Sequence, residues 1–307
     1  MVEKLPFIMQ PQSLSKQVDL IDVQGWDFHH TTGVLFIRGQ DTAIIETGHH
    51  KCGEQILATL QERALPLDKV RYVCVTHRHG DHCGGATPIA TSLPEVTVVG
   101  HKYAIGTLHD PHRLNEGARQ IFGSFAQDIQ PLPPDIPTQE VQDGSRLDLG
   151  RGVELEVIGT PGHTSDHVAY FELETRTLYT GDATGLLGPE RFSVMPTSFP
   201  PSFKFDLYKS SIEKLRTYDP AFLVFSHFGA VTGSDIPVIF DRALATLDSW
   251  KETVEQAWQN QPSQTAVKEA IQQRFADELE VFPPAARPLF IKVMAQGLLQ
   301  SLQPKSA

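Results

Sequence analysis

Val70-Arg71-Tyr72-Val73-Cys74-Val75 leads without a break into Thr76-His77-Arg78-His79-Gly80-Asp81-His82. The first half is a run of β-branched, aromatic and apolar residues, which predicts a short buried strand. The second half brings His77, His79, Asp81 and His82 into one loop that begins where the strand stops. Divalent transition metals need several nitrogen and oxygen donors converging from a rigid platform, and a strand end supplies one. Gly80 permits the tight backbone of such a loop, and Gly84-Gly85 lets a following helix start close beside it.

Outward from this stretch the same arrangement recurs. Residues 153–158 form an apolar run that leads into Thr160-Pro161-Gly162-His163. Residues 168–173 and 177–179 read as paired strands across the turn Glu174-Thr175-Arg176, and the second runs into Thr180-Gly181-Asp182. Residues 222–225 end at Ser226-His227. Four strand ends therefore each deliver a His or an Asp. A lone histidine in a polar loop is ordinarily a solvated surface residue, but His163, Asp182 and His227 converge with the 77–82 loop if neighbouring strands align their ends. Seven donors exceed the needs of one ion and suit two.

Before the loop, residues 18–23, 33–37 and 42–45 read as an antiparallel meander. Ile56, Leu57, Leu60 and Leu65 then recur at the spacing of an amphipathic helix packed on a sheet. Between the two metal-facing halves, residues 103–143 carry five prolines and read as an irregular excursion, a lid or substrate wall, with a short helix at 116–125. From Ile236 onward the pattern is helical. Ile236, Phe240, Leu244, Leu247, Trp250 and Val254 line one stripe, Val267, Ile271, Phe275 and Leu279 a second, and Phe290, Val293, Met294, Gly297 and Leu298 a third. The expected organisation is a catalytic domain over residues 1–235 and a helical extension over 236–307, packed on that domain or on a partner subunit.

The 37 acidic and 26 basic residues give a net charge of -11, so the surface field repels phosphate backbones and anionic membranes. Neither nucleic acid nor membrane is an expected partner; a small-molecule substrate is. Cys52, Cys74 and Cys83 are too few for a disulfide framework and read as small buried hydrophobes in a reducing compartment. The first residues lack a basic segment followed by an apolar one, and no apolar stretch is long enough to span a bilayer, so the expectation is a cytoplasmic protein. The amphipathic C-terminal helices are compatible with a homodimer.

Taken together, Thr76-His77-Arg78-His79-Gly80-Asp81-His82, Thr160-Pro161-Gly162-His163-Thr164, Gly181-Asp182 and Ser226-His227-Phe228-Gly229 resemble the metallo-β-lactamase-fold hydrolases, in order over roughly residues 19–233. The resemblance implies an α+β fold, a four-layer αββα sandwich with the metals at one edge and here a helical C-terminal extension. It implies a first metal on His77, His79 and His163, a second on Asp81, His82 and His227, and Asp182 bridging both. Residues 101–114 and Asp143-Gly144 are similar to a branch of stand-alone members related to lactonase-like and phosphotriesterase-like enzymes. Glu46-Thr47-Gly48 departs from the usual Asp-Thr-Gly, whose carboxylate supports the metal loop from behind. His49 and His50 beside it are read as exposed loop residues, with proximity to the site as the alternative. The chain lacks the basic C-terminal cluster of glyoxalase II members and the cysteine ligand of some true β-lactamases.

The expected activity is hydrolysis of an ester, lactone or related acyl bond, extending to phosphotriesters, by a metal-bridging hydroxide that Asp81 and Asp182 orient and whose proton they shuttle. Two divalent ions are implied, zinc first, with iron or manganese compatible with all-His/Asp ligation. The alternatives are a mononuclear-iron oxidoreductase resembling persulfide dioxygenases, a thioesterase of glyoxalase II type, and a binding protein without turnover. Phe192, Phe199, Phe203 and Phe228 are expected to enclose the substrate or to belong to the core.

Overall fold

Successive residues of a strand point to opposite faces of its sheet, and in this chain both faces are apolar. The computed structural model, which describes residues 7–25, 28–93, 95–188 and 193–303, sorts those faces into separate cores. Val18, Leu20, Leu35, Ile37, Ala43 and Ile45 fall in one buried cluster, together with Leu155, Val157, Tyr170, Tyr179 and Val224 from the second half of the chain. Their alternating neighbours Ile21, Val23, Val34, Phe36, Ile44 and Val73 fall in another, with Ile56, Leu60 and Ile89 from helices. The remaining set, Ile158, Ala169, Phe171, Leu178 and Leu223, packs on Tyr208, Ile212, Phe240, Leu247 and Trp250. Two sheets thus share one core between them, and helices cover each outer face. This is the αββα sandwich.

One sheet runs in the order Gln12–Ser13, Val18–Gly25, Phe28–Arg38, Thr42–Ile45, Val70–Cys74, Thr97–His101, Thr138–Val141. Its meander is antiparallel, and it turns parallel where Thr42–Ile45 meets Val70–Cys74 across helix His50–Glu62. Such a parallel step needs a crossover helix. Leu65 lies beyond that helix but still packs on the outer core. The other sheet runs Phe7–Ile8, Ala230–Thr232, Phe222–Val224, Thr177–Tyr179, Val168–Glu172, Glu154–Gly159, Arg146–Asp148. Glu172 pairs with Thr177 across the expected turn.

The 103–143 segment is more regular than the sequence suggests. Helices Lys102–His109 and His112–Phe122 occupy its first half, and Thr138–Val141 adds a parallel edge strand to the first sheet. The prolines sit mainly in the stretch between them, residues 131–137. The helical stripes after residue 235 become Ile236–Asn260, Gln264–Arg274 and Arg287–Leu302. Their buried faces, including Trp250 stacked on Phe275 at 5.1 Å, belong to the same cluster as the outer face of the second sheet. Cys52, Cys74 and Cys83 are free and fully buried, Cys52 and Cys83 in the outer core and Cys74 between the sheets. Among the described residues no helix is long and apolar enough to cross a membrane.

Candidate metal centre

Strand Val70–Cys74 of the first sheet and strands Glu154–Gly159, Thr177–Tyr179 and Phe222–Val224 of the second lead toward one cluster, each ending two or more residues short of His77, His163, Asp182 and His227 respectively. His79 caps a single helical turn, Gly80–Cys83, which turns Asp81 and His82 back toward the same point. The structure brings all seven residues together. His77, His79 and His163 form one donor group, His77, His82 and Asp182 another, and Asp81, His82 and His227 a third, each with its ligand atoms within 4.8 Å of one another.

Four of the five donor rings are held from behind so that one nitrogen faces inward. His163 donates its Nδ1–H to the Thr197 carbonyl at 2.7 Å, and His227 donates Nδ1–H to the Thr31 carbonyl at 3.0 Å. His82 Nδ1 lies 2.9 Å from Glu46 Oε2. The Thr76 hydroxyl donates to that same oxygen at 2.8 Å, which leaves its own lone pair for His77 Nδ1 at 3.0 Å. These four rings therefore present Nε2 inward, while His79 presents Nδ1, 3.1 Å from His77 Nε2 and 2.9 Å from His163 Nε2. On a tetrahedral zinc with metal–nitrogen bonds of about 2.0–2.1 Å, ligand nitrogens stand about 3.3 Å apart. The spacing, the tautomers and the outer hydrogen bonds all fit a metal.

Asp182 joins the first of these donor groups to the third. Its Oδ2 is 3.3 Å from His163 Nε2, and its Oδ1 is 3.3 Å from His227 Nε2 and 3.5 Å from His82 Nε2. Ser226 donates its hydroxyl to Oδ1 at 2.9 Å. His82 also faces Asp81 Oδ2 at 3.7 Å. Burial works against charge on the His77, His163 and His167 rings and lowers all three; it also pushes His79 down to about 3. Neutral imidazole is the ligand form. His82 and His227 are the exceptions. Burial lowers both, but Asp182, Asp81 and Glu46 outweigh it at His82 and push that ring up to about 10, and Asp182 outweighs it at His227 and raises that ring. Burial likewise opposes the Asp182 carboxylate, and His82, His163 and His227 hold it well below the usual range. Three carboxylates around one small volume are a place for cations.

Glu46, with its left-handed backbone (φ 75°) and fully buried side chain, reaches both Thr76 and His82 despite its extra methylene. His49 is not an exposed loop residue: it is buried, immediately before helix His50–Glu62, behind the metal loop. His50 is half-buried on that helix. Phe203 and Phe228 are core residues, Phe228 stacked on His30 at 5.0 Å, while Phe199 is half-buried and Phe192 lies outside the described residues.

Two supporting residues were not apparent from the sequence. Asp166 is fully buried, accepts the Arg78 backbone N–H at 2.9 Å and pairs with the Arg78 guanidinium at 3.2 Å, so it ties the His163 loop to the 77–82 loop. His167 accepts the Asp182 backbone N–H at Nε2, 2.9 Å, and its Nδ1 meets the Thr160 hydroxyl at 2.7 Å. The five-residue stretch His163-Thr164-Ser165-Asp166-His167 thus touches each of the other loops that carry donors on its side. Gly80, expected to relieve backbone strain, has no positive φ; a side chain there would instead collide with the Gln127 carbonyl, 2.7 Å from its Cβ position.

Comparison with known proteins agrees with this arrangement. A "Metallo-beta-lactamase fold-containing protein" of Sulfurisphaera tokodaii is 27% identical over 222 residues, 68% of this chain and 80% of that protein. The crystal structure of an archaeal metallo-beta-lactamase superfamily protein from Sulfolobus tokodaii superposes with a TM-score of 0.59 at 25% identity, covering 74% of this chain and 84% of that one. A metallo-beta-lactamase family protein from Thermus thermophilus superposes at 0.65 with 19% identity, over 94% of both chains. The protein named "Putative diflavin flavoprotein A 1" of Thermosynechococcus vestitus is 32% identical over 178 residues, 57% of this chain but 28% of that much longer protein. The family profile described as "Metallo-beta-lactamase superfamily" matches residues 26–227, the span that contains all seven converging donors. The chain belongs to the metallo-beta-lactamase superfamily.

Proposed function

We propose that the chain is a metal-dependent hydrolase of the lactonase- and phosphotriesterase-like branch, cleaving an ester, a lactone, a related acyl bond or a phosphotriester in a small molecule. The observation that carries this reading is Asp182, whose two carboxylate oxygens each face a separate trio of donors. In this proposal His77, His79 and His163 hold one divalent ion, Asp81, His82 and His227 hold the second, and Asp182 is shared. Zinc is the expected metal, with iron or manganese compatible with the donors. When bound, such ions acidify a water molecule and polarise the oxygen of the bond to be cleaved.

The remaining work falls to the chain itself. The Thr197 and Thr31 carbonyls and Glu46 fix the orientation of His163, His227 and His82, so that these rings need not reorganise during turnover. Asp81, whose side chain is about one third exposed, borders the open side of the centre and takes the proton from the attacking water at a carboxylate oxygen. Asp182, nearly buried and hydrogen-bonded by Ser226, orients that water. The excess of acidic residues speaks against nucleic-acid or membrane partners. Residues 1–235 supply every donor, and the helices from Ile236 onward pack on them; cytoplasmic location and homodimerisation complete the reading.

A second reading is favoured by the relatives named diflavin flavoproteins, a redox name. The donors, all nitrogen and oxygen, would suit iron as well as zinc. Metal analysis of the purified protein, followed by a panel of esters, lactones, thioesters and phosphotriesters, separates the two. Hydrolysis by protein loaded with two metals, lost in Asp182→Ala and His82→Ala, is the expected result. Iron with oxygen uptake and no hydrolysis would overturn it.

A further inference from the structure

Three phenylalanines from distant parts of the chain meet beside the first donor trio. Phe199 lies edge-on to the His163 ring, with centroids 6.0 Å apart. Phe122, the last residue of helix His112–Phe122, and Phe290, on helix Arg287–Leu302, each stand 6.0 Å from Phe199 and 6.0 Å from one another. All three rings are half-buried, although Phe282, stacked behind Phe290 at 5.0 Å, is buried. Apolar surface left partly open beside a cluster of polar donors is the composition of a ligand pocket.

The backbone holds this triangle in place. A side chain at Gly297 would put its Cβ 2.0 Å from the Ser198 carbonyl oxygen, and Ser198 donates its hydroxyl to the Met294 carbonyl at 3.0 Å. The last helix is therefore locked against the loop whose Thr197 carbonyl orients His163. On the other side, Asn115 exchanges two 2.9 Å hydrogen bonds with the Ile129 backbone, and the neighbouring Gln127 carbonyl lies against Gly80 of the metal loop. Helix His112–Phe122 is fixed to the centre through this contact.

We propose that Phe122, Phe199 and Phe290 form the apolar wall of the substrate pocket. The wall receives a saturated chain or ring attached to the bond that is cleaved, on its acyl or its alcohol side, and the C-terminal helix is thereby part of the active site. The substrate class rests on the hydrolase reading; the wall rests on the ring geometry.

Calorimetric titration of the metal-loaded protein with octanoate against acetate, and with octanol against ethanol, tests it. The longer member of one pair should bind at least about tenfold tighter, since each buried methylene contributes severalfold, and the pair that shows this identifies the side. Phe290→Ala and Phe122→Ala should each reduce that preference by about threefold to tenfold. Phe122 lies outside the buried clusters, so its variant serves if Phe290→Ala does not fold. Absence of chain-length preference in both pairs, or a preference that both substitutions leave unchanged, overturns the wall. Preference without turnover of the ester panel refutes the hydrolase and keeps the wall; turnover without preference does the reverse.

Discussion

Asp166→Ala removes a buried carboxylate that touches no donor, yet its effect should reach the metal. The side chain is fully buried, with Oδ2 2.9 Å from the Arg78 backbone nitrogen and Oδ1 3.2 Å from Arg78 Nε. A hydrogen bond to a charged group contributes about 1.5–3 kcal/mol, and breaking a buried ion pair costs about 3–5 kcal/mol because one charge is left behind. Arg78 keeps a quarter of its side chain exposed and regains some hydration, which places Asp166→Ala at the lower end, about 3 kcal/mol. Asp166→Asn keeps an acceptor for the Arg78 N–H and loses only the charge, about 1–2 kcal/mol. At about 2 °C per kcal/mol for a chain of this size, thermal melts of chelator-stripped protein should fall by about 6 °C and about 3 °C. Because the clamp sets His77 and His79 against His163, zinc affinity measured by competition with a chromophoric chelator should drop by about 10–100-fold in Asp166→Ala. Melting within about 1 °C of wild type, together with unchanged zinc affinity, would refute the clamp.

The cysteines offer a simpler check. Burial pushes the Cys52 thiol up to about 12 and raises Cys74 and Cys83 as well, so Ellman's reagent should label none of the three in folded protein and all three in urea; one fast-reacting thiol in the native state would contradict the packing. Partial burial pushes the Asp143 carboxyl up, but Lys214 at 2.6 Å and the Gly159 N–H outweigh it and leave the carboxyl below its usual value. A carboxyl lowered in this way stabilises the fold above its unfolded pKa and loses that contribution as pH falls through the folded one. Asp143→Asn should therefore lower stability at neutral pH by at most about 0.5 kcal/mol, since the pair is largely exposed, and by progressively less as pH falls below about 4; a loss that does not shrink on going from neutral to acid pH in urea titrations would contradict the pairing.

The layers were legible because the strands carry apolar residues on both faces, which only a sheet covered on both sides can satisfy. Thr138–Val141 was not: its exposed Thr138, Gln139 and Glu140 show no apolar alternation, and only backbone pairing to Thr97–His101 defines it as a strand. The seven converging side chains were readable because metal chemistry admits few residue types, and each follows an apolar run. Their supports were mostly silent. Thr31 and Thr197 act through carbonyl oxygens, which every residue possesses, and Asp166 acts through a salt bridge to Arg78 that a linear reading does not reveal. His167 had a signal, a second histidine four positions after His163, but its task is to receive a backbone N–H. Phe199, Phe122 and Phe290 could not be grouped from sequence at all, since 168 positions separate the first of them from the last (290 − 122).

The donors at the four strand ends are likewise far apart along the chain: His77 and His227 are 150 positions apart (227 − 77). Loop closure over such a distance is entropically costly and comes late, after the local hairpins and helices have formed. The complete centre cannot exist on a nascent chain until both sheets have been made and docked. An ion held jointly by the 77–82 loop and by His163, Asp182 or His227 would then report that the two halves of the sandwich have found each other.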